Sequence, residues 1–193
     1  MSTAWEIQVI KYYQQYKEQE QVLIDNNNLF GALTHFRIAR NFSGLAEQSN
    51  KDELAAIISS TILNNSLTSE QKYIELLDKF KRRYKKELIS ATSKILWFTD
   101  NKEEHIIYDS LALNKLSKIK GSINTKSHKK YFDFCGKWHE LFAENEKQIK
   151  AATNRVKDFY LTTPNFKDSH IDVMDTLWFR MRVLDIYLWG NES

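Results

Sequence analysis

The chain has little with which to make tight turns or cross-links. Five glycines and one proline in 193 residues leave few of the breakers that closely spaced strands require, so an all-α fold is expected. The single cysteine, Cys135, excludes an internal disulfide, a thiolate zinc cluster and a four-cysteine iron-sulfur centre built from this chain. It reads most simply as a small core or interface residue. No segment approaches the roughly eighteen uncharged apolar residues of a membrane span. The opening "MSTAWEIQVIKYYQQYKEQE" has no basic start ahead of an apolar core. A soluble cytoplasmic protein with no membrane association is expected. Glycine-rich phosphate loops are missing, and so is any His/Asp/Glu grouping at metal-ligand spacing; neither a metal nor an organic cofactor is expected.

What is present is charge in runs. The net charge is only +3, yet no acidic residue falls between Asp109 and Asp133. Lys115, Lys118, Lys120, Lys126, Lys129, Lys130 and His128 all do. A second run, "KFKRRYKK", occupies 79–86. Either alone is most simply a solvated face. Together, flanking one Lys/Asp pair, they favour a polyanionic partner, because phosphate contacts need clustered cations.

Apolar positions recur at helical spacing almost throughout. A first helix is predicted over about Ala4 to Gln19, with Trp5, Val9, Tyr12, Tyr13 and Tyr16 on one side. "DNNN" at 25–28 reads as a capping turn before a second helix, "LFGALTHFRIARN". A third, "SNKDELAAIISSTILNN", opens at Ser49 or Asp52 and closes at Asn64 and Asn65. Thr68 or Ser69 caps a fourth, whose buried stripe is Tyr73, Leu76, Leu77 and Phe80. The short connection "ELIS" leads into a fifth, from about Ala91 to Phe98. "TDNKEEH" is a polar loop, and "HIIY" is too short to argue for a strand. Asp109 begins a sixth helix that Gly121 ends. A long seventh is predicted from about Lys130 to Tyr160, bent near Gly136. The last runs from about Ser169 to Trp189, with Ile171, Met174, Leu177, Trp178, Met181, Leu184 and Leu188 toward the core. The whole reads as one unit over 1–193, with lobes at about 45–120 and at 1–44 plus 121–193.

Two residues in "SATSKILWFTDNKEEHIIYDSLALNKL", Ser90 to Leu116, can carry chemistry. Lys94 is expected within about the first turn of its helix, where unsatisfied amides carry partial positive charge. An ammonium is disfavoured there, and an amine that is partly neutral is what a Schiff-base nucleophile requires. Its plain alternative is a surface lysine beside a polar turn. Asp109 is equally plainly an N-cap. Capping and chemistry coexist, because a cap fixes the carboxylate's orientation.

A short helical hairpin bearing a lysine, followed after a loop by an aspartate at a helix start, resembles the helix-hairpin-helix DNA glycosylase superfamily. "SATSKILWF…IIYDS" is most similar to its branch of small bacterial proteins related to 8-oxoguanine DNA glycosylase. "LAAIISSTILNNSLTSEQKYIELLDKF" resembles the superfamily's earlier helix-loop-helix, and "RMRVLDIYLWG" the branch's closing helix. The likeness covers roughly residues 52 to 116 and 176 to 190. It implies two helical lobes with a DNA-binding cleft between them, in a bacterial cytoplasmic enzyme. It places Lys94 on the nucleophilic lysine of the bifunctional members, with AP-lyase activity, and Asp109 on the aspartate that stabilises the sugar cation. Asn64 and Asn65 fall on the loop that fills the gap left by a flipped base. "ELISATSK" has no Gly-x-Gly, no proline precedes Asp109, and the Lys-to-Asp spacing is shorter than in the better-known members.

The chemistry is consistent with those residue types. Breaking an N-glycosidic bond develops positive charge on the deoxyribose, which a nearby carboxylate stabilises. A base inside a duplex must be extruded and stacked on aromatics. Trp97 and Phe98 follow Lys94 by three and four residues, and Tyr108 and Ser110 flank Asp109; each aromatic is otherwise simply core. Lys85 and Lys86 in the hairpin, and Arg37 and Arg40 with Asn41 in "FRIARN", suit phosphates, or else a capped surface helix. Trp138 and His139 read as spectators, and Arg182 with Asp185 as an internal ion pair. The expected partner is double-stranded DNA, bound by a monomer with no obligate protein partner. The substrate is an 8-oxoguanine-like lesion or a bulky modified cytosine, such as the glucosylated hydroxymethyl base of phage DNA, which would make the chain a defence factor. The alternative from another class is a non-catalytic helical module that binds nucleic acid through its lysine runs; a third is an interaction module with no nucleic-acid role.

Overall fold

The computed structural model describes residues 26–100, 104–124, 126–161 and 173–190. Among them the chain is helical and forms no strand, as its composition predicts. It divides into two compact units, Met1–Ile107 and Tyr108–Ser193. The helix expected over Ala4 to Gln19, and Ile171, lie outside the described residues.

The first unit is a chain of helices, each packed on the next. Helix α1, Asn26–His35, buries Leu29, Ala32 and Leu33 and is followed by buried Phe36. That spacing of three, four and seven makes one apolar face. Asn26, Asn27 and Asn28 lie inside this helix rather than in a turn before it. It also ends earlier than its sequence suggests. The Arg37 amide donates to Thr34 O and the Ile38 amide to Leu33 O, closing a Schellman motif with Arg37 left-handed at φ 56. Residues Ala39–Asn41 then make a single 3-10 turn.

Helix α2, Gln48–Ile62, buries Leu54, Ala55, Ile58, Thr61 and Ile62. Its N-cap is Glu47, which makes no side-chain capping bond, so neither Ser49 nor Asp52 opens it. Helix α3, Ser69–Tyr84, does start on a capping box: Thr68 accepts from the Gln71 amide, and the Gln71 side chain accepts from the Thr68 amide. Such a cap is worth about 1 kcal/mol. Tyr73, Leu76, Leu77 and Phe80 are buried as expected, with Phe80 edge-on to Phe42 at 5.2 Å. Arg83 grips Glu53 of α2 with two hydrogen bonds, of 2.7 and 2.8 Å. Helix α4, Ile89–Thr99, follows after four residues.

The second unit begins with Tyr108, whose ring meets Phe134 edge-on at 5.1 Å. Helix α5, Ser110–Lys120, ends at Gly121, whose φ of 84 is reached without strain only by glycine. Helices α6, Ser127–Glu144, and α7, Glu146–Leu161, replace the single long helix expected there. The break is at Asn145, not near Gly136. The Asn145 side chain donates to Leu141 O, a carbonyl that its own amide also reaches, and this local competition ends the helix. Helix α8, Leu177–Trp189, is capped by Thr176, which accepts from the Phe179 amide. Met174, Trp178, Met181, Leu184 and Leu188 are buried; Leu177 is exposed, contrary to its place in the periodic stripe. Helix α8 packs on α5 and α7, and α6 on α5 and α7. No helix among the described residues is long and apolar enough to cross a membrane.

Candidate active site

The α3–α4 pair is a helical hairpin with a four-residue connection, 85–88. Its first residue, Lys85, is left-handed at φ 56, ψ 29, and its amide donates to Lys81 O. That conformation reverses the chain and turns it directly into α4. Lys85 and Lys86 are both exposed at the turn, and Lys81 is held to Glu87 across it at 2.7 Å.

Lys94 stands in the second arm of this hairpin. Because α4 begins at Ile89, Lys94 is its sixth residue and not part of the first turn. The field of the helix end fades beyond that first turn, so the electrostatic reason for a neutral amine at this position does not hold. Every residue from Ala91 to Thr99 is buried except Lys94, which is half-buried and is the only charged residue of the helix. Half-buried, its methylene stem can pack against apolar neighbours while the ammonium stays solvated.

Asp109 is the N-cap of α5, and its Oδ1 accepts from the Leu111 amide at 2.9 Å. The carboxylate is half-buried and oriented by that bond, while Ser110 beside it is exposed. Lys94 belongs to the first unit and Asp109 to the second.

The aromatics expected near the pair are core residues. Phe98 stacks on Phe36 at 5.5 Å with rings 6° from parallel, and Trp97 meets the same ring edge-on at 5.6 Å. Tyr108 is buried against Phe134, with the Lys130 ammonium 5.8 Å from its ring centre. All three are buried in their units.

Asn64 and Asn65 lie on the connection between α2 and α3. Asn64 Oδ1 accepts from the Ser66 amide and hydroxyl, forming an Asx turn, and Asn65 is exposed. Leu63, which immediately precedes them, is 58 % exposed, the most exposed large apolar side chain among the described residues. Arg37 and Arg40 are exposed beside the 3-10 turn, and Asn41 donates to Ile38 O.

Other polar groups lie inside the two units. Lys72 Nζ donates to Asp100 Oδ1 at 2.9 Å, and His105 Nε2 is 3.0 Å from Asp100 Oδ2. Burial raises the Asp100 carboxyl, but its bonds to His105 and Lys72 outweigh that and hold it below the ordinary carboxylate range. The position of Lys72 on the buried face of α3, four and eight residues before Leu76 and Phe80, is legible in the sequence, but its partners are not. In the second unit Arg182 Nη1 lies 3.9 Å from Asp185 Oδ2, the expected internal pair, and buried Trp138 donates to Asp185 Oδ1 at 3.1 Å. His139 is exposed. No group of three His, Cys, Asp or Glu side chains among the described residues could hold a metal ion. No family model matches the chain, and no curated protein or solved structure matches it.

Proposed function

We propose that the chain is a DNA glycosylase that turns a damaged or modified base out of duplex DNA and cleaves its N-glycosidic bond. The observation that carries this reading is the hairpin α3–α4, which exposes two lysines at its turn and sets a single half-buried lysine, Lys94, into an otherwise buried second arm. The resemblance in sequence supports the same assignment, and so does Asp109, a carboxylate whose orientation its capping bond fixes.

In this reading the duplex lies in a cleft between two helical lobes. Lys85, Lys86, Arg37 and Arg40 contact its phosphates, and their charge makes affinity fall steeply with salt. The connection carrying Leu63, Asn64 and Asn65 enters the stack where the base has left, an apolar wedge beside polar edges. Asp109 stabilises the positive charge that builds on the deoxyribose as the base departs. Lys94 Nζ attacks C1′; the base leaves with the bond electrons and is protonated, and the sugar ring opens to a Schiff base. Loss of a C2′ proton then expels the 3′ phosphate, which is AP-lyase chemistry. The substrate is an oxidised purine such as 8-oxoguanine, or a bulky cytosine such as the glucosylated hydroxymethyl base of phage DNA, in which case the enzyme serves defence.

Purified protein incubated with duplexes carrying oxidised, deaminated, alkylated or glucosylated bases tests the proposal. Abasic sites should form on at least one, and borohydride should trap an adduct that Lys94→Ala abolishes. Abasic sites without an adduct would leave the glycosylase reading and reduce Lys94 to a positioning residue. Salt-sensitive binding with no base released from any duplex would show a non-catalytic nucleic-acid-binding module instead.

A further inference from the structure

The lysine-rich stretch between Asp109 and Asp133 takes no part in the proposed chemistry, yet its first helix has an outward face with a definite character. Helix α5 carries Lys115, Lys118 and Lys120 and, beyond its half-buried cap Asp109, no acidic residue. Lys120 is paired with Glu144 of α6 at 2.6 Å and with Glu140 at 3.4 Å. Lys118 is exposed and makes no ion pair among the described residues. Lys115 is turned onto α8: its Nζ donates to the Tyr187 carbonyl oxygen at 2.9 Å and stands 3.9 Å from the centre of the Tyr187 ring.

The same two helices leave apolar groups in water. Of the six large apolar side chains exposed among the described residues, five lie on α5 or α8, and clustering of that kind marks a contact surface. Leu111 and Ile119 stand one turn before and one turn after Lys115, and Tyr187 is 54 % exposed beside it. The one acid of α8, Asp185, is buried. An exposed tyrosine ordinarily samples several rotamers; here an ammonium anchored to the residue's own carbonyl and lying over its ring holds it in one. With one face of the ring under Lys115, the opposite face is the one left to solvent.

We propose that this α5–α8 face of the second unit binds single-stranded DNA, a base stacking on Tyr187 and the phosphates on either side of it meeting Lys115 and Lys118. A ring held in place is what stacking requires, because little freedom is then lost when the base arrives. A single strand fits and a duplex does not, since the faces of paired bases are covered by their neighbours. Six lysines and no acid between Asp109 and Asp133 match a uniformly anionic chain better than the mixed charge at the rim of a protein interface. The choice of DNA over RNA rests on the glycosylase reading; the stacking site does not.

The test follows fluorescence anisotropy of an end-labelled oligothymidylate of about twelve nucleotides through a salt series, with full-length wild type, Tyr187→Ala, Tyr187→Phe and Lys118→Gln. Tyr187→Ala should weaken binding by about tenfold or more at an unchanged Tm, and Tyr187→Phe should restore it, because the ring and not the hydroxyl stacks. Lys118→Gln should lower the slope of log affinity against log salt by about 0.7. Equal affinities of wild type and Tyr187→Ala overturn the proposal. So does polyglutamate that competes as well as unlabelled oligothymidylate, which would show a face for acidic protein, and so does tighter binding of oligouridylate. Loss of binding in Tyr187→Ala that Tyr187→Phe does not restore also overturns it. If wild type releases no base from any lesion duplex while oligothymidylate binding still depends on the Tyr187 ring, the glycosylase reading falls and this surface stands.

Discussion

Asp185 gives the second unit a pH dependence of defined sign. Its side chain is buried on α8, and burial pushes its carboxyl from 3.8 up to about 7, against the opposing pull of the Arg182 guanidinium and the bond from Trp138. Burial prevails because the guanidinium stands 3.9 Å away, at the outer limit of an ion pair. Below 3.8 the folded and unfolded chains both hold the proton. Between 3.8 and about 7 the unfolded chain releases it and the folded chain keeps it, so stability falls as pH rises. Above about 7 the folded chain has lost it too and the loss is complete. At 1.36 kcal/mol per pH unit the whole interval is worth about 4 kcal/mol, and the part from pH 5 upward about 3 kcal/mol. For a chain of this length that is roughly 6–12 °C in Tm. Asp185→Asn removes the titration and keeps an oxygen to accept from Trp138 Nε1. Melting both proteins from about pH 5 to about pH 8, with tryptophan fluorescence as the signal, should show wild type losing about 3 kcal/mol more than the variant across the range. The variant's absolute stability also carries the loss of Arg182's counter-charge, so the difference in slope is the readout. Parallel curves would mean that Asp185 is ionised throughout and that the pair, not burial, controls it.

Asp109→Asn separates capping from chemistry: asparagine caps as well as aspartate, so Tm should hold while base release falls by on the order of 100-fold or more, in a melting and single-turnover comparison. Leu63→Ser should leave stability within about 0.5 kcal/mol, since the side chain is 58 % exposed, yet slow base release from duplex more than from a single strand. Lys85→Gly and Arg37→Gly should each stabilise by about 1 kcal/mol in denaturant melts, by relieving a left-handed backbone. Each should also weaken duplex binding and lower the slope of log affinity against log salt by about one.

Helix type and order were legible because the apolar period is regular, and two caps were legible from side chains that make the bond, whereas the Thr176 cap was not, the last helix being expected from about Ser169 and not from Leu177. Thr68 and Asp109 both cap as their sequence contexts predict. Glu47 does not, and α2 therefore starts ahead of Ser49 and Asp52. Periodicity also fails where a local bond competes with the helix, as at Asn145, and at Leu177, which follows the N-cap and whose side chain is left exposed. For the candidate site, sequence located Lys94 and Asp109 on the right elements but set Lys94 two residues too near the helix start, because "LIS" carries no cap to mark where α4 begins. The ion chain of Lys72, Asp100 and His105 was hidden for another reason. Lysine is normally solvated, and the partners that let it be buried lie 28 and 33 positions away.

The hairpin turn raises a physical question that glycine would have answered. Backbone amides approach a phosphate most closely where the chain turns left-handed, and glycine does this without penalty. Here Lys85 takes the same conformation at φ 56, ψ 29, directly after a helix, so the backbone shape is kept although the residue is not. An L-residue with a side chain costs roughly 1–2 kcal/mol more in that region. Ending a helix with a cation recovers some of it, about 0.3–1 kcal/mol at an exposed site, since the ammonium faces the negative end of the dipole. The remainder is left without a folding rationale, and the same imbalance recurs at Arg37, the other non-glycine residue at positive φ among the described residues. Both are exposed cations at the ends of helices in the first unit. A polyanion bound at these turns would meet a fixed charge where a glycine turn offers only amides. That exchanges close approach for long-range attraction, and it makes salt, rather than base sequence, the variable to which binding responds most strongly.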